Sequence, residues 1–251
     1  MRHLIAAVAW MTVLPVPRGR MPDPFTRDDG ARVIALVPVA GAVVAAAVVA
    51  VAWAGNAAGL PAFLVGVLAV AASGLLTRGM HLDGFADCVD GLGSYGPPER
   101  AREIMRQGTV GPFGAAALAL LLTAEAAAVG ALAERGLWPA VGVAVGAARV
   151  AAVLGCRRGW SAANPDGFGA LTAGTQGVPV QAFWLVVALG AAAFAVPGVP
   201  WQGPVALFVA LAAAAAGMRH CVRRFGGVSG DVLGFGIEVT TVLTLVGLCV
   251  H

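Results

Sequence analysis

Three aspartates lie within eight residues of the segment "RGMHLDGFADCVDGLGS" at 78–94. Asp83, Asp87 and Asp90 are separated by four and then three positions, which on an α-helix places them on one narrow stripe. Carboxylates this close repel one another, so the arrangement is unfavourable unless a cation lies among them. Oxygen ligands select Mg²⁺, Mn²⁺ or Ca²⁺ rather than Zn²⁺, and Mg²⁺ binds through a few carboxylates together with substrate phosphates. The spacing therefore predicts a divalent-metal site for phosphate chemistry.

Other patterns that bind metals or nucleotides are absent from this segment. An EF-hand needs oxygen ligands at alternate positions and a glutamate at the twelfth, and neither is present. The glycine patterns of P-loop and Rossmann proteins are also missing. The alternative is that the aspartates only solvate an exposed loop, but their helical spacing and the flanking Gly84 and Gly91 favour a ligand site.

Several residues near the aspartates are of types that bind phosphate. Arg78 and Arg106 flank the cluster, and the arginine fork matches two phosphate oxygens, although retention of arginine on the cytoplasmic side also explains them. His81 has three interpretations: a base, a hydrogen-bond donor to phosphate, or an interfacial residue. Asp231 follows the glycine-rich stretch "RRFGGVSG" at 223–230, where it either belongs to a second substrate-binding loop or caps a helix.

Three charged residues lie inside apolar segments, where an unpaired charge is expensive. Glu125, Arg149 and Glu238 are therefore expected to face one another or the interior of a bundle. Arg149 is near the end of its segment, so its long side chain has the alternative of reaching the interface. Glu238 is about two helical turns beyond Asp231, so we expect both carboxylates to approach the aspartate cluster.

The composition places these residues in a membrane protein. Of the 251 residues, 59% are hydrophobic and only 12% are charged, with a mean hydropathy of +0.85, whereas soluble domains are about 45–50% apolar and about 25% charged. A first apolar piece at 4–16 is too short to span and ends at prolines, so it is expected to be an interfacial or re-entrant helix. The sequence predicts an all-α polytopic bundle, a single integral membrane domain over 1–251, with about seven spans. The predicted spans are 33–54, 58–76, 113–133, 137–154, 178–196, 205–218 and 232–250.

The distribution of arginine predicts the orientation of the bundle. All sixteen basic residues are arginine, and most lie in alternate loops, around 78–112, 156–177 and 219–231. Because arginine is retained on the cytoplasmic side, we expect these loops to form a cytoplasmic active site of a multi-pass protein in the cell inner membrane. Orientation also explains the net charge of +3 better than nucleic-acid binding does. The expected surroundings are the lipid bilayer, with no nucleic acid, and assembly as a homo-oligomer is left open.

Several stretches together match one family. The most specific is "HLDGFADCVDG" at 81–91, and the supporting ones extend over nearly the whole chain. In these stretches the chain resembles the cobalamin synthase family, the adenosylcobinamide-GDP ribazoletransferases. The supporting stretches are "LPVP" at 14–17, "EIMR" at 103–106 with Gly111 and Gly114, Arg149, and "GGVSGDVLG" at 226–234 leading to Glu238.

The resemblance implies a late step of vitamin B12 biosynthesis. The enzyme joins the ribose 3′-hydroxyl of α-ribazole, or of its 5′-phosphate, to the phosphate of adenosylcobinamide-GDP and releases GMP. Mg²⁺ is the implied cofactor, held by the three aspartates, one of which serves as the base. The predicted catalytic residues are Asp83, Asp87, Asp90 and His81, and the predicted substrate-binding residues are Arg78, Arg106, Arg149, Asp231 and Glu238.

The chain departs from the family pattern at a few positions. Gln107, Gly108 and Thr109 occupy the place of an Asp-Ser-Arg-like triplet, Glu125 replaces a lysine, and Thr241 replaces a glutamate. These changes alter the charges around the substrate, whereas the aspartate segment is intact.

Two other functions remain as alternatives. A CDP-alcohol phosphotransferase also uses an aspartate-rich helix at the membrane surface, but its signature spaces the aspartates differently from "DGFADCVDG". A secondary transporter would carry its polar residues near the midplane on broken helices, whereas most charges of this chain lie in loops. A purely structural membrane protein would have no reason to keep three aligned aspartates.

Overall fold

The computed structural model describes residues 1–16, 21–106 and 108–250, with the side chain of Arg106 excepted. Within these residues the chain forms twelve α-helices. The first six are α1 (Arg2–Met11), α2 (Arg27–Ala57), α3 (Ala62–Leu76), α4 (Met80–Gly93), α5 (Pro98–Arg106) and α6 (Pro112–Glu134). The other six are α7 (Trp138–Ala147), α8 (Val150–Gly155), α9 (Phe168–Thr172), α10 (Val178–Ala192), α11 (Gln202–Phe225) and α12 (Gly230–Cys249).

The prediction of an all-α polytopic membrane protein is confirmed, although fewer than seven helices meet the requirements for a span. Five described segments are long and apolar enough to cross a membrane: α2, α6, α7 with α8, α11 and α12. A sixth is obtained only if α3 and α4, which meet at 93°, are taken together. The predicted span at 178–196 corresponds to α10, whose 15 residues extend about 22 Å, less than a hydrocarbon core of about 30 Å.

The short N-terminal helix packs on the first long one. Ala6 and Ala7 of α1 are fully buried against Val33 of α2, and the His3 Nε2 atom is 2.8 Å from the Asp29 carboxylate. After α1 the chain is extended, and the Val13 amide donates a 2.8 Å hydrogen bond to the Leu76 carbonyl at the end of α3. These contacts fix the last turn of α1 beside the junction of α3 and α4. The "LPVP" stretch that follows ends at Pro17, which lies outside the described residues.

The last described helix, α12, lies at the centre of the bundle. It packs against α4, α6, α8 and α11, and its buried residues, including Leu233, Ile237 and Leu245, contribute to both large apolar clusters. Its N-terminus is capped by Ser229, whose Oγ accepts a hydrogen bond from the Val232 amide. Because α12 touches so many helices, residues on its first turns face several of them at once.

The polar segments 78–112, 156–177 and 219–231 contact one another at one end of the bundle. Arg102 in α5 donates a hydrogen bond to the Phe225 carbonyl at the end of α11. Arg224 donates to the carbonyls of Ser94 and Gly96. The middle segment joins them where the Val228 amide donates to the Ser161 carbonyl at 2.8 Å.

Candidate active site

The site begins at a sharp reversal between α3 and α4. The two helices meet at 93°, and the turn uses two consecutive residues in the left-handed region, Arg78 with φ of 57° and Gly79 with φ of 66°. A glycine adopts this conformation freely, whereas a side chain such as that of Arg78 makes it costly. The bend turns α4 across the end of α3, so that the two helices do not form one straight span.

The three predicted aspartates all lie on α4, and they become progressively more buried along it. Asp83 in the first turn is exposed, Asp87 is partly buried, and Asp90 is only 7% exposed. The helix implied by their spacing is present, but the three side chains have different surroundings. They therefore do not form a symmetric set.

A fourth carboxylate joins the first two aspartates from α12. A Cβ atom added to Gly84 would lie 2.7 Å from the Asp231 Cα atom, so the absence of a side chain at Gly84 lets the start of α12 rest directly on α4. The Ser229 hydroxyl donates a hydrogen bond to the Asp231 carboxylate at 3.1 Å. The charges of both Asp83 and Asp231 act on Asp87. The prediction that Asp231 approaches the aspartates is confirmed.

Asp90 is engaged differently. Its two carboxylate oxygens accept hydrogen bonds from the amides of Gly111, at 2.7 Å, and Gly114, at 2.8 Å. Gly111 is the residue that precedes α6 and Gly114 is in the first turn, so Asp90 caps α6 from another helix and places a negative charge at its positive end. These bonds tie the end of α4 to the start of α6, and the charge of Asp90 also acts on Asp87.

A cavity of about 440 Å³ opens beside Asp83 and Asp231. It lies between α1, α2, α4 and α12, and its walls differ in character. The polar side is formed by Arg78, His81, Asp83 and Asp231. The apolar side includes Trp10, Met11, Ile34, Phe168, Leu233 and Ile237. Such a cavity is within the size range of small-ligand sites.

His81 is buried between this cavity and the interior of the bundle. It is 4% exposed, and neither ring nitrogen has a hydrogen-bond partner among the described residues. A Cβ atom added to Gly234 would lie 3.1 Å from the His81 Cα and carbonyl oxygen atoms, so α12 passes directly over it. The Oε1 atom of the Glu238 carboxylate is 3.9 Å from Nδ1. This distance is longer than a hydrogen bond.

Arg149 and Glu238 lie deeper, around a second and much smaller cavity. Arg149 is 2% exposed, donates a hydrogen bond to the Val145 carbonyl, and interacts electrostatically with Glu238 and Glu125. The three side chains, together with Thr241, line about 20 Å³, room for roughly one water molecule. The expectation that the intramembrane charges face one another is confirmed. Two of the departures from the family pattern, Glu125 and Thr241, line this same small cavity.

The remaining predicted residue, Arg106, is the last residue of α5, and its side chain lies outside the described part of the chain. Gln107 lies outside it as well. The preceding arginines of α5 form surface ion pairs three residues apart, Arg102 with Glu99 at 3.0 Å and Arg100 with Glu103 at 2.7 Å. Exposed pairs of this kind contribute little to stability.

The carboxylates of Asp83 and Asp231, which line the large cavity, and of the neighbouring Asp87 fit Mg²⁺. They would provide oxygen ligands, and a cation would relieve their mutual repulsion. Among the described side chains, no three from histidine, cysteine, aspartate and glutamate are close enough to hold an ion by themselves. Mg²⁺ usually binds through one or two carboxylates completed by water and substrate phosphates, a mode that needs no complete protein cage.

Sequence reasoning missed the aromatic residues of the cavity, Trp10 and Phe168. Their rings lie 4.9 Å apart, measured between centroids, and Trp10 also contacts Phe25 at 4.7 Å. The only signal in the sequence was a tryptophan in a helix too short to span, close to the "LPVP" stretch. Nothing local relates position 10 to position 168.

Comparison with known proteins extends over almost the whole chain. The family model described as cobalamin-5-phosphate synthase matches residues 3–249. An adenosylcobinamide-GDP ribazoletransferase of Corynebacterium efficiens is 38% identical over 246 residues, covering 96% of this chain and 88% of its own length. Enzymes of the same name are 37% identical in a Nocardioides species, covering 95% and 94%, and in Xanthobacter autotrophicus, covering 99% and 96%. No solved structure matches the chain.

Proposed function

The chain belongs to the cobalamin-5-phosphate synthase family, and we propose that it is the membrane enzyme that completes the nucleotide loop of cobalamin. It transfers the adenosylcobinamide phosphate of adenosylcobinamide-GDP to α-ribazole, or to its 5′-phosphate, and releases GMP. The observation that carries the proposal is the family match over residues 3–249, a range that includes every residue lining the 440 Å³ cavity.

The diphosphate of the donor is proposed to bind at the carboxylates of Asp83, Asp87 and Asp231 through Mg²⁺. The cofactor proposal is supported by the oxygen-only donors and by the concentration of negative charge around Asp87. These carboxylates would hold Mg²⁺, which would offset the charge of the diphosphate and of the leaving phosphate. Arg78, at the bend and on the cavity wall, is positioned to pair with a phosphate oxygen.

The reaction exchanges one phosphorus–oxygen bond for another. The ribose hydroxyl oxygen of the acceptor forms a bond to the phosphorus atom on the cobinamide side of the diphosphate. The bond from that phosphorus to the bridging oxygen of the diphosphate breaks. The bonding electrons leave with GMP, and an aspartate of the set, Asp83 or Asp87, accepts the hydroxyl proton. The work of the protein is mainly to align these groups and to provide a suitable electrostatic environment.

The site is proposed to face the cytoplasm of a cell with the protein in its inner membrane. The support is the arginine content of the loops that contact one another at this end of the bundle, which include Arg100, Arg102 and Arg224. Arginine-rich loops are retained on the cytoplasmic side. Both nucleotide substrates would then be reached from the cytosol.

The test is an assay of the purified protein in lipid nanodiscs with adenosylcobinamide-GDP and α-ribazole. We expect GMP and a complete corrinoid in equal amounts, and loss of both products when EDTA removes Mg²⁺, with recovery when Mg²⁺ is restored. Reactions without acceptor and reactions with a CDP-alcohol and an alcohol acceptor serve as controls. Turnover of the CDP-alcohol instead of the corrinoid pair would contradict the assigned function. Turnover of the corrinoid pair that EDTA does not affect would contradict only the proposal that Mg²⁺ is the cofactor.

A further inference from the structure

The lining of the 440 Å³ cavity is chemically mixed. It includes the carboxylates of Asp83 and Asp231, the rings of Trp10 and Phe168, and aliphatic side chains such as that of Ile34. A ligand that satisfies both kinds of residue has a polar part and a flat, apolar part. A nucleoside with an apolar bicyclic base has this form, because its ribose is rich in hydroxyl groups and its base is not.

We propose that this cavity is the acceptor subsite, in which the base of α-ribazole lies against Trp10 and Phe168 and the ribose faces Asp83 and Asp231. The proposal rests on the function proposed above and adds the location of the acceptor. In this orientation the reacting hydroxyl lies next to the carboxylates that bind the diphosphate.

Size distinguishes the two substrates at this cavity. Small-ligand pockets measure about 300–1,000 Å³, and a cavity of about 440 Å³ is near the lower limit. A ribonucleoside of about twenty non-hydrogen atoms fits such a volume. A corrinoid that also carries an adenosyl group and GDP is several times larger and does not fit. The donor therefore binds outside the cavity, and only its diphosphate reaches the carboxylates at the mouth.

The aromatic wall is held rigidly enough to act as a binding surface. Trp10 lies between Phe25 and Phe168, with centroid distances of 4.7 and 4.9 Å. The helix that carries it is anchored at both ends, by the His3–Asp29 contact and by the hydrogen bond from the Val13 amide to the Leu76 carbonyl. A rigid aromatic wall favours a flat apolar base by contact area and ring stacking.

The apolar wall also predicts a preference among acceptor bases. A benzimidazole base without polar substituents has one acceptor, its free ring nitrogen, and no donor, so it leaves fewer groups unsatisfied against Ile34, Leu233 and Phe168 than adenine does. The amino group of adenine would lose its hydrogen bonds to water there and find no partner on that wall, which is costly. We expect the enzyme to use α-ribazole in preference to the corresponding α-adenine nucleoside.

The experiment compares Trp10→Leu and Trp10→Phe with the wild-type protein and with Trp53→Leu, a control in α2 that is 58% exposed and does not line the cavity. The KM for α-ribazole and the KM for adenosylcobinamide-GDP are measured separately, with the melting temperature of each variant. Binding of α-ribazole alone is followed by quenching of tryptophan fluorescence. For Trp10→Leu we expect the KM for α-ribazole to rise about fivefold to tenfold while the KM for the donor is unchanged. Trp10→Phe should restore most of the affinity but remove the part of the quenching that Trp10 contributes.

The outcomes separate this proposal from the assigned function. If the wild-type protein turns over α-ribazole and Trp10→Leu leaves its KM within twofold, the subsite is elsewhere although the function stands. If quenching by α-ribazole is equal in the wild-type and Trp10→Phe proteins, the base does not lie against Trp10. If both KM values rise equally in Trp10→Leu but not in Trp53→Leu, the residue supports the whole site and the acceptor assignment is wrong. Failure of the wild-type protein to use either α-ribazole or its 5′-phosphate would instead refute the function itself.

Discussion

Asp87 and Asp90 are one turn apart on α4, and replacing each by asparagine should have opposite effects on activity and stability. Asp87 is surrounded by the charges of Asp83 and Asp231, so Asp87→Asn removes repulsion and keeps the shape. We expect transfer to fall by about two orders of magnitude or more, because an anionic ligand is lost, with an unchanged or raised melting temperature. GMP release and thermal unfolding measure the two effects, and near-normal transfer would show that Asp87 only solvates the surface.

Asp90→Asn is the matched variant. Its amide oxygen can accept from Gly111 or Gly114 but cannot replace two charged acceptor oxygens at the start of α6. We expect unfolding to become easier by about 1–2 kcal/mol, seen as a lower melting temperature, while the KM for Mg²⁺ stays within about twofold. A large rise in the KM for Mg²⁺ at an unchanged melting temperature would indicate that Asp90 is a metal ligand.

Arg78 offers a third test, because its backbone is strained. In Arg78→Gly the φ of 57° no longer carries a cost of about 1–2 kcal/mol, so stability should be unchanged or slightly higher. The guanidinium is lost, and we expect the KM for adenosylcobinamide-GDP to rise about tenfold. Arg78→Lys keeps the charge and should lie between the two. A stable Arg78→Gly protein with normal kinetics would indicate that Arg78 does not contact the donor.

The sequence indicates which residue types belong to the site better than it indicates their partners. The spacing of Asp83, Asp87 and Asp90 correctly implies a helix with three carboxylates. It does not reveal that Asp90 accepts hydrogen bonds from the amides of Gly111 and Gly114, since these contacts depend on how α4 packs against α6. Trp10 was missed for the same reason, because its neighbours in space are distant in sequence.

Among the helices, the contact between α4 and α12 assembles the site. Gly84→Ala should separate them, because the added methyl group would lie 2.7 Å from the Asp231 Cα, a backbone atom that cannot move alone. We expect a loss of about 1–3 kcal/mol in stability and a clear loss of transfer. Gly190→Ala in α10 is the control, since its added Cβ meets nothing within 4 Å and alanine favours a helix. Equal behaviour of the two variants would contradict the importance of the contact.

Helices are predicted from composition more reliably than their bends. The apolar blocks correctly locate α2, α6, α11 and α12, because a span requires a long uninterrupted apolar run. The 93° reversal between α3 and α4 depends on Arg78 accepting a left-handed backbone. An arginine carries no local signal for that conformation.

For the whole molecule, the arginine distribution predicts which end faces the cytosol. Tyr95→Cys, at a fully exposed position beside the site, should react from the cytoplasmic side with a thiol reagent that does not cross membranes. Ala57→Cys, exposed at the end of α2, should react only from the other side. The native thiols at Cys88, Cys156 and Cys221 are buried, so the background is low once Cys249 is replaced. If only Ala57→Cys reacts from the cytoplasmic side, the orientation is the reverse of the one predicted.

The position of α12 in the chain has a consequence for biosynthesis. Glu125 and Arg149 enter the membrane early, but Glu238 and Asp231 are more than eighty residues further along, and the ribosome needs on the order of ten seconds to add them. Until then Glu125 is the one carboxylate of the pair Glu125 and Glu238 that can lie near Arg149. The cavity also lacks the residues that α12 contributes to its lining. The nascent protein therefore remains inserted but unfinished during this interval. During this interval the translocon, or a membrane chaperone, can shield these charges from lipid. We expect ribosome-stalled chains that end before Gly230 to be degraded faster than those that include α12.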